Sequence, residues 1–79
     1  TIKPVRATIT ADAKDDVGIS KVEFWVNGIL KYTDTSYVYS YSFDTVLGVD
    51  YIVEVKAFDG TGKMVSSKVH VQSFKGPGE

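Results

Sequence analysis

A chain of 79 residues holds one domain, whose core is too thin for a substrate cavity walled on all sides. Nine Lys and Arg against ten Asp and Glu leave a net charge of −1. That balance argues against nucleic-acid binding by counterion release and against a polybasic membrane patch. The absence of cysteine and a single histidine, His70, remove disulfides, thiolate chemistry and most metal sites built on Cys or His. No apolar run approaches the ~18 residues of a membrane-spanning helix. The opening Thr1-Ile2-Lys3-Pro4 carries neither Met nor a signal-peptide pattern, and reads as the start of a piece of a longer protein.

Val, Ile and Thr number 24, against 6 for Ala and Leu together, and ten residues are aromatic. β-branched and aromatic side chains pack well on pleated surfaces and lose rotamer freedom in helices. The expectation is an all-β domain, and the alternation bears on it directly. Val5 to Ala13 puts Val5, Ala7, Ile9, Ala11 and Ala13 on one face. Ser20 to Asn27 sends Val22, Phe24 and Val26 inward and Lys21, Glu23 and Trp25 outward. Asn27-Gly28 between Val26 and Ile29 predicts a type I′ hairpin turn, whose two central residues need positive φ. The returning strand is Ile29 to Thr33. Tyr37 to Asp44 turns Tyr37, Tyr39, Tyr41 and Phe43 inward. Tyr51 to Asp59 turns Tyr51, Val53, Val55 and Ala57 inward, and Ile52, Glu54, Lys56 and Phe58 outward. Lys63 to Gln72 turns Val65, Ser67, Val69 and Val71 inward. No helical period of useful length competes.

Six short strands with one apolar face each make a two-sheet sandwich. Residues 1–72 form the module, and 73–79, rich in Gly and Pro, read as a linker or tail. Tyr51 opens the fifth strand where a tyrosine corner would sit, its hydroxyl bonded to upstream backbone; an ordinary core tyrosine is the alternative.

Ala7-Thr8-Ile9-Thr10-Ala11, Asp15-Asp16-Val17-Gly18-Ile19-Ser20-Lys21-Val22-Glu23-Phe24, Trp25-Val26-Asn27-Gly28, Tyr39-Ser40-Tyr41-Ser42-Phe43-Asp44-Thr45 and Ala57-Phe58-Asp59-Gly60-Thr61-Gly62-Lys63 together resemble the bacterial Ig-like modules of secreted multidomain proteins. The resemblance covers residues 7 to 71. It implies a fibronectin type III-like Greek-key sandwich of six to seven strands. It also implies a mostly architectural role in an extracellular or cell-surface prokaryotic protein, beside glycan-active enzymes, proteases or adhesins. The family carries a further strand ahead of Ala7-Thr8-Ile9-Thr10-Ala11; here only Thr1 to Pro4 precede that segment.

His70 falls on the outward face of the last strand, where a solvated histidine is the ordinary outcome, and no base is placed against a serine nucleophile. No catalytic residues are expected and the domain is read as not an enzyme. Asp12, Asp15, Asp16 and Asp59 fall on two connections that share one end of a sandwich. They are weak candidates for Ca²⁺, which takes 6–8 oxygens, against plain turn chemistry. No cofactor is called for. With a regular two-residue turn, Val26 faces Ile29, Trp25 faces Leu30 and Glu23 faces Tyr32, so Trp25, Leu30 and Tyr32 share the outer face. A fibronectin-like arrangement adds Ile52 and Phe58. Such a patch, rimmed by Glu23, Glu54, Lys56 and Lys68, suits contact with a neighbouring domain of the parent chain. The alternatives are a carbohydrate-binding surface built on Trp25 and Tyr32, a cell-surface adhesion repeat, or cross-strand pairs that only support the hairpin. The isolated module is expected to be monomeric, without nucleic-acid or membrane partners.

Overall fold

The computed structural model describes residues 5–13 and 18–72. Six strands form two sheets: β1 (Val5–Ala11), β2 (Ile19–Val26), β3 (Ile29–Asp34), β4 (Tyr39–Thr45), β5 (Asp50–Asp59) and β6 (Met64–Gln72). β1 and β4 pair antiparallel as a two-stranded sheet, and the other four run in the order β3-β2-β5-β6. All pairings are antiparallel. The expected linker, 73–79, and Asp15 and Asp16 lie outside the described residues.

The core lies where the small sheet crosses the large one. Val22, Phe24 and Val53 are fully buried, joined by Val26, Tyr39 and Ala57, with Ile9, Ala11, Ala13, Ile19, Tyr41 and Val55 packed against this cluster. The period-2 alternation of β2 is strict, every second residue from Val22 being buried. That is what one covered and one open face produce. A chain of aromatic contacts fills the other flank. Tyr41 touches Phe24, Tyr32 and Phe43 at centroid separations of 5.9, 5.8 and 5.7 Å, and Phe43 meets Tyr51 edge-on at 5.4 Å.

Three expectations change. First, the hairpin is not regular. Val26 pairs with Ile29 and Trp25 with Leu30, but the register then shifts, so that Phe24 opposes Tyr32 and Glu23 opposes Thr33. One extra residue on β3 reverses the faces of everything beyond it. Tyr32 therefore leaves the outer face and stacks on Tyr41 inside the sandwich rim. Second, Tyr37 precedes β4 rather than opening it and is 64% exposed, touching only the edge of Tyr39 among ring contacts of the described residues. Third, β6 points Val65 and Val69 to the inner side, opposite Ala57 and Val53, yet Val65 is 72% exposed and Val69 41%. The two-stranded sheet does not reach over β6.

β1 starts, and β6 ends, at the same end of the sandwich as the Asn27-Gly28 turn, because Val5 pairs with Thr45 and Asp50 with Gln72. The opposite end carries the connection from β1 to β2, the residues between β3 and β4, and the turn from β5 to β6.

Candidate functional site

The outer face of the four-stranded sheet is a network of alternating charge and aromatic rings. The Trp25 indole N–H donates to Glu23 Oε1 at 2.9 Å. The Lys56 ammonium lies 4.2 Å from the Trp25 ring centroid. Glu23 Oε2 pairs with Lys21 Nζ at 3.1 Å, and the same ammonium lies 4.7 Å over the Phe58 ring. Strand register explains the grouping. Glu23 opposes Lys56 and Trp25 opposes Glu54, with Lys21 opposite Phe58, so opposite charges and rings sit side by side. The bond from Trp25, then those with Lys21 and the nearby Lys56 charge, hold the Glu23 carboxyl below its usual range against an opposing effect of burial.

The expected patch thus divides. Leu30 and Ile52 are exposed, while Trp25 and Phe58 are half-buried, each with a lysine over its ring. Tyr32 is on the other side of the sheet from Trp25. A sugar ring would have to displace Lys56 from Trp25 and would find no tyrosine beside it.

The connections have a common construction, in which a side chain at or beside a strand end binds nearby backbone, that of the turn itself or, for Asn27, that of the adjacent strand. Asn27 and Gly28 take φ of 51° and 82°, as a type I′ turn requires. Asn27 also acts as an extra rung of the β2–β5 ladder. Its N–H donates to Ile52 O at 2.9 Å and its Oδ1 accepts from Ile52 N–H at 2.8 Å. Asp34 accepts from the Ser36 and Ser40 amides at 3.0 and 3.1 Å, holding the β3–β4 connection. The Tyr51 hydroxyl accepts from Val46 N–H at 2.9 Å, tying down the corner before β5. Asp59, only 6% exposed, places one carboxylate oxygen within reach of three donors: Thr61 N–H at 2.8 Å, Thr61 Oγ1–H at 2.7 Å and Lys63 N–H at 3.0 Å. The Thr61 hydroxyl leads the effects that hold its carboxyl below the ordinary aspartate range; burial opposes them.

Of the calcium candidates, Asp12 and Asp59 line one open cleft of about 300 Å³ with Ala13, Ile19, Ala57, Lys63 and Val65. Gly60 N–H donates to Gly18 O at 3.3 Å, so the two connections do meet at that end. Asp59 Oδ1 is already taken by three donors, and no group of three metal-binding side chains occurs among the described residues. His70 forms a 3.7 Å pair with Asp50, both exposed.

Of the four side chains that bind backbone, the sequence marked Tyr51 as a candidate for bonding upstream backbone, and Asn27, Asp34 and Asp59 as turn residues; Asn and Asp are residue types that bond backbone a few positions on, but the partner of Asn27 on β5 required the strand register.

A family model described as a bacterial Ig domain matches residues 1–70. Among solved structures, the fibronectin(III)-like modules of Clostridium thermocellum CbhA are similar, with a TM-score of 0.78 and 28% identity over 91% of this chain. The match spans 38% of that structure's chain. The search of curated proteins returns no match.

Proposed function

We propose that the chain, which belongs to the bacterial Ig domain family, is a rigid, non-catalytic accessory module of an extracellular or cell-surface multidomain protein, one that acts on glycans. It holds neighbouring domains at a set distance and orientation. The observation that carries this reading is the construction of the connections. Binding and catalytic residues sit disproportionately on loops, where their polar atoms must stay available to ligand. Here Asn27, Asp34, Tyr51 and Asp59 are each committed to backbone of their own turn or of the adjacent strand. The likeness to the modules of CbhA supports the multidomain setting.

Docking is best served by the end where β1 begins and β6 finishes. Ile29, Val46 and Val49 are exposed there, beside the points from which those two strands leave the sandwich. The outer face is less suited, because its rings already carry lysines.

The test places the module between two reporter domains and measures their separation by double electron–electron resonance. A narrow distance distribution is expected, broadened by Asn27→Ala or Asp34→Ala. A distribution as broad as that of a Gly/Ser linker of equal length would contradict the reading.

A further inference from the structure

Asn27 is the only asparagine in the chain, and a glycine follows it. That pair carries a reaction of its own. The backbone nitrogen of the residue after an asparagine can attack the side-chain Cγ, and glycine hinders the approach least because it has no Cβ. The bond from Cγ to the side-chain nitrogen breaks, ammonia leaves, and a five-membered succinimide ring remains. Water then opens the ring at one of its two carbonyls. One opening gives aspartate. The other gives isoaspartate, in which the main chain runs through the side-chain carbons. The only co-reactant is water.

Both residues are exposed, and nothing lies within 4 Å of the place that a Cβ on Gly28 would occupy, so water and base reach the pair freely. Two features of the fold hold the reaction off. With φ of 51° and 82° the pair forms a type I′ turn, in which ψ of the first residue is about +30°. That value swings the Gly28 nitrogen nearly trans to the Asn27 Cβ, whereas ring closure needs the two on the same side. The side chain is also tied: Asn27 Oδ1 accepts from Ile52 N–H at 2.8 Å, and Asn27 N–H donates to Ile52 O at 2.9 Å. Asp59-Gly60 could close a similar ring by losing water, but both reacting atoms are occupied there. Asp59 Oδ1 accepts from Thr61 and Lys63, and Gly60 N–H donates to Gly18 O at 3.3 Å.

We infer that Asn27-Gly28 is a self-modification site of the module, at which the Gly28 nitrogen attacks Asn27 Cγ only when the rung between Asn27 and Ile52 opens. The hairpin tip therefore keeps a one-way record of its own openings. The two products differ in consequence. An aspartate at position 27 keeps the two-residue turn, and its carboxylate accepts from Ile52 N–H as the amide oxygen did. Isoaspartate lengthens the turn by one methylene, so the pair of positive φ angles and the rung to β5 do not reform together.

The test incubates the whole 79-residue chain in mildly alkaline buffer, folded and in guanidinium. Conversion at Asn27 is read by peptide mass, and isoaspartate by labelling with an isoaspartyl methyltransferase. Exchange of the Ile52 amide is followed by NMR in the folded sample. In guanidinium Asn27 should convert readily. In the folded chain it should convert about tenfold more slowly or more, and the slowing should be no smaller than the protection factor of the Ile52 amide, because every reactive opening first releases that amide. Asn27→Asp should melt close to the wild type, and the purified isoaspartate form clearly below both. Folded conversion faster than the Ile52 protection allows would mean attack with the rung intact, and would overturn the inference. So would an absence of conversion at Asn27 in guanidinium, isoaspartate at Asp59 forming in the folded chain as fast as at Asn27, or an isoaspartate form that melts with the wild type.

Discussion

The register shift in the β2–β3 hairpin can be tested energetically through Tyr32. In the observed register its ring stacks on Tyr41 at 5.8 Å and 18°, and meets Phe24 at 6.4 Å. Aromatic pairs of this kind contribute about 0.5–1.5 kcal/mol each beyond buried area. Tyr32→Ala should therefore cost about 1–3 kcal/mol. A regular hairpin would leave Tyr32 on the outer face, where a cross-strand pair contributes only about 0.2–1 kcal/mol. The two ranges touch, so a double-mutant cycle decides. Tyr32→Ala, Tyr41→Ala and the double variant should show a coupling of about 0.5–1.5 kcal/mol, and Tyr32 with Trp25 none above the ~0.3–0.5 kcal/mol scatter of independent sites. Urea unfolding followed by circular dichroism suffices. With a slope of about 1 kcal/mol per molar for a chain this small, the single variant should move the midpoint by about 1–3 M. Additive behaviour of Tyr32 and Tyr41, or coupling of Tyr32 to Trp25, would refute the bulged register and return Tyr32 to the outer face.

Other outcomes follow from the same geometry. Phe24, fully buried, should cost about 3–5 kcal/mol on truncation to Ala, whereas Val65→Ser should stay within about 0.5 kcal/mol; equilibrium unfolding compares them. Tyr51→Phe should cost about 0.5–1.5 kcal/mol. A larger penalty is not expected, because Val46, at 60% exposed, can give its freed N–H to water. Asn27→Gly keeps the turn conformation and loses only the bond to Ile52, about 0.5–1.5 kcal/mol. Asn27→Ala adds about 1–2 kcal/mol for positive φ at a residue with a Cβ, so the order of thermal midpoints should be wild type, Gly, Ala. Asp59 and Glu23 both have carboxyls held below their ordinary range. Their contribution is complete above about pH 5, beyond the ordinary carboxyl range, and is lost as pH falls through their folded values. Acid titration should therefore lower the melting temperature, and Trp25 fluorescence should change in the same range as Glu23 gains its proton and the indole bond is lost.

Strand positions and faces were legible in the sequence because alternation is a local property. β2 and β5 turned out as the pattern of Val22, Phe24, Val26 and of Val53, Ala57 requires, and Asn27-Gly28 specified its turn through φ alone. The bulge was not legible. One inserted residue on β3 leaves Ile29 to Thr33 with the same composition, and only the partner strand reveals the shift. The exposure of β6 was hidden for a different reason. Alternation says which side Val65 and Val69 face but not whether anything lies over that side, which depends on the width of the opposite sheet. The lysines over Trp25 and Phe58 stood between these cases. Their strand faces could be read, but their adjacency required the register of β2 against β5.

The central claim is that the connections are held rigid by their own side chains, and backbone ¹⁵N relaxation on the isolated module tests it most directly. Order parameters near 0.85, equal to those of the strands, are expected at residues 27–28, 35–38, 46–49 and 60–63, with a fall at 35–38 alone in Asp34→Ala. Values below about 0.6 at these connections in the wild-type chain would mean that the loops are free, and would contradict the reading of the domain as a rigid module.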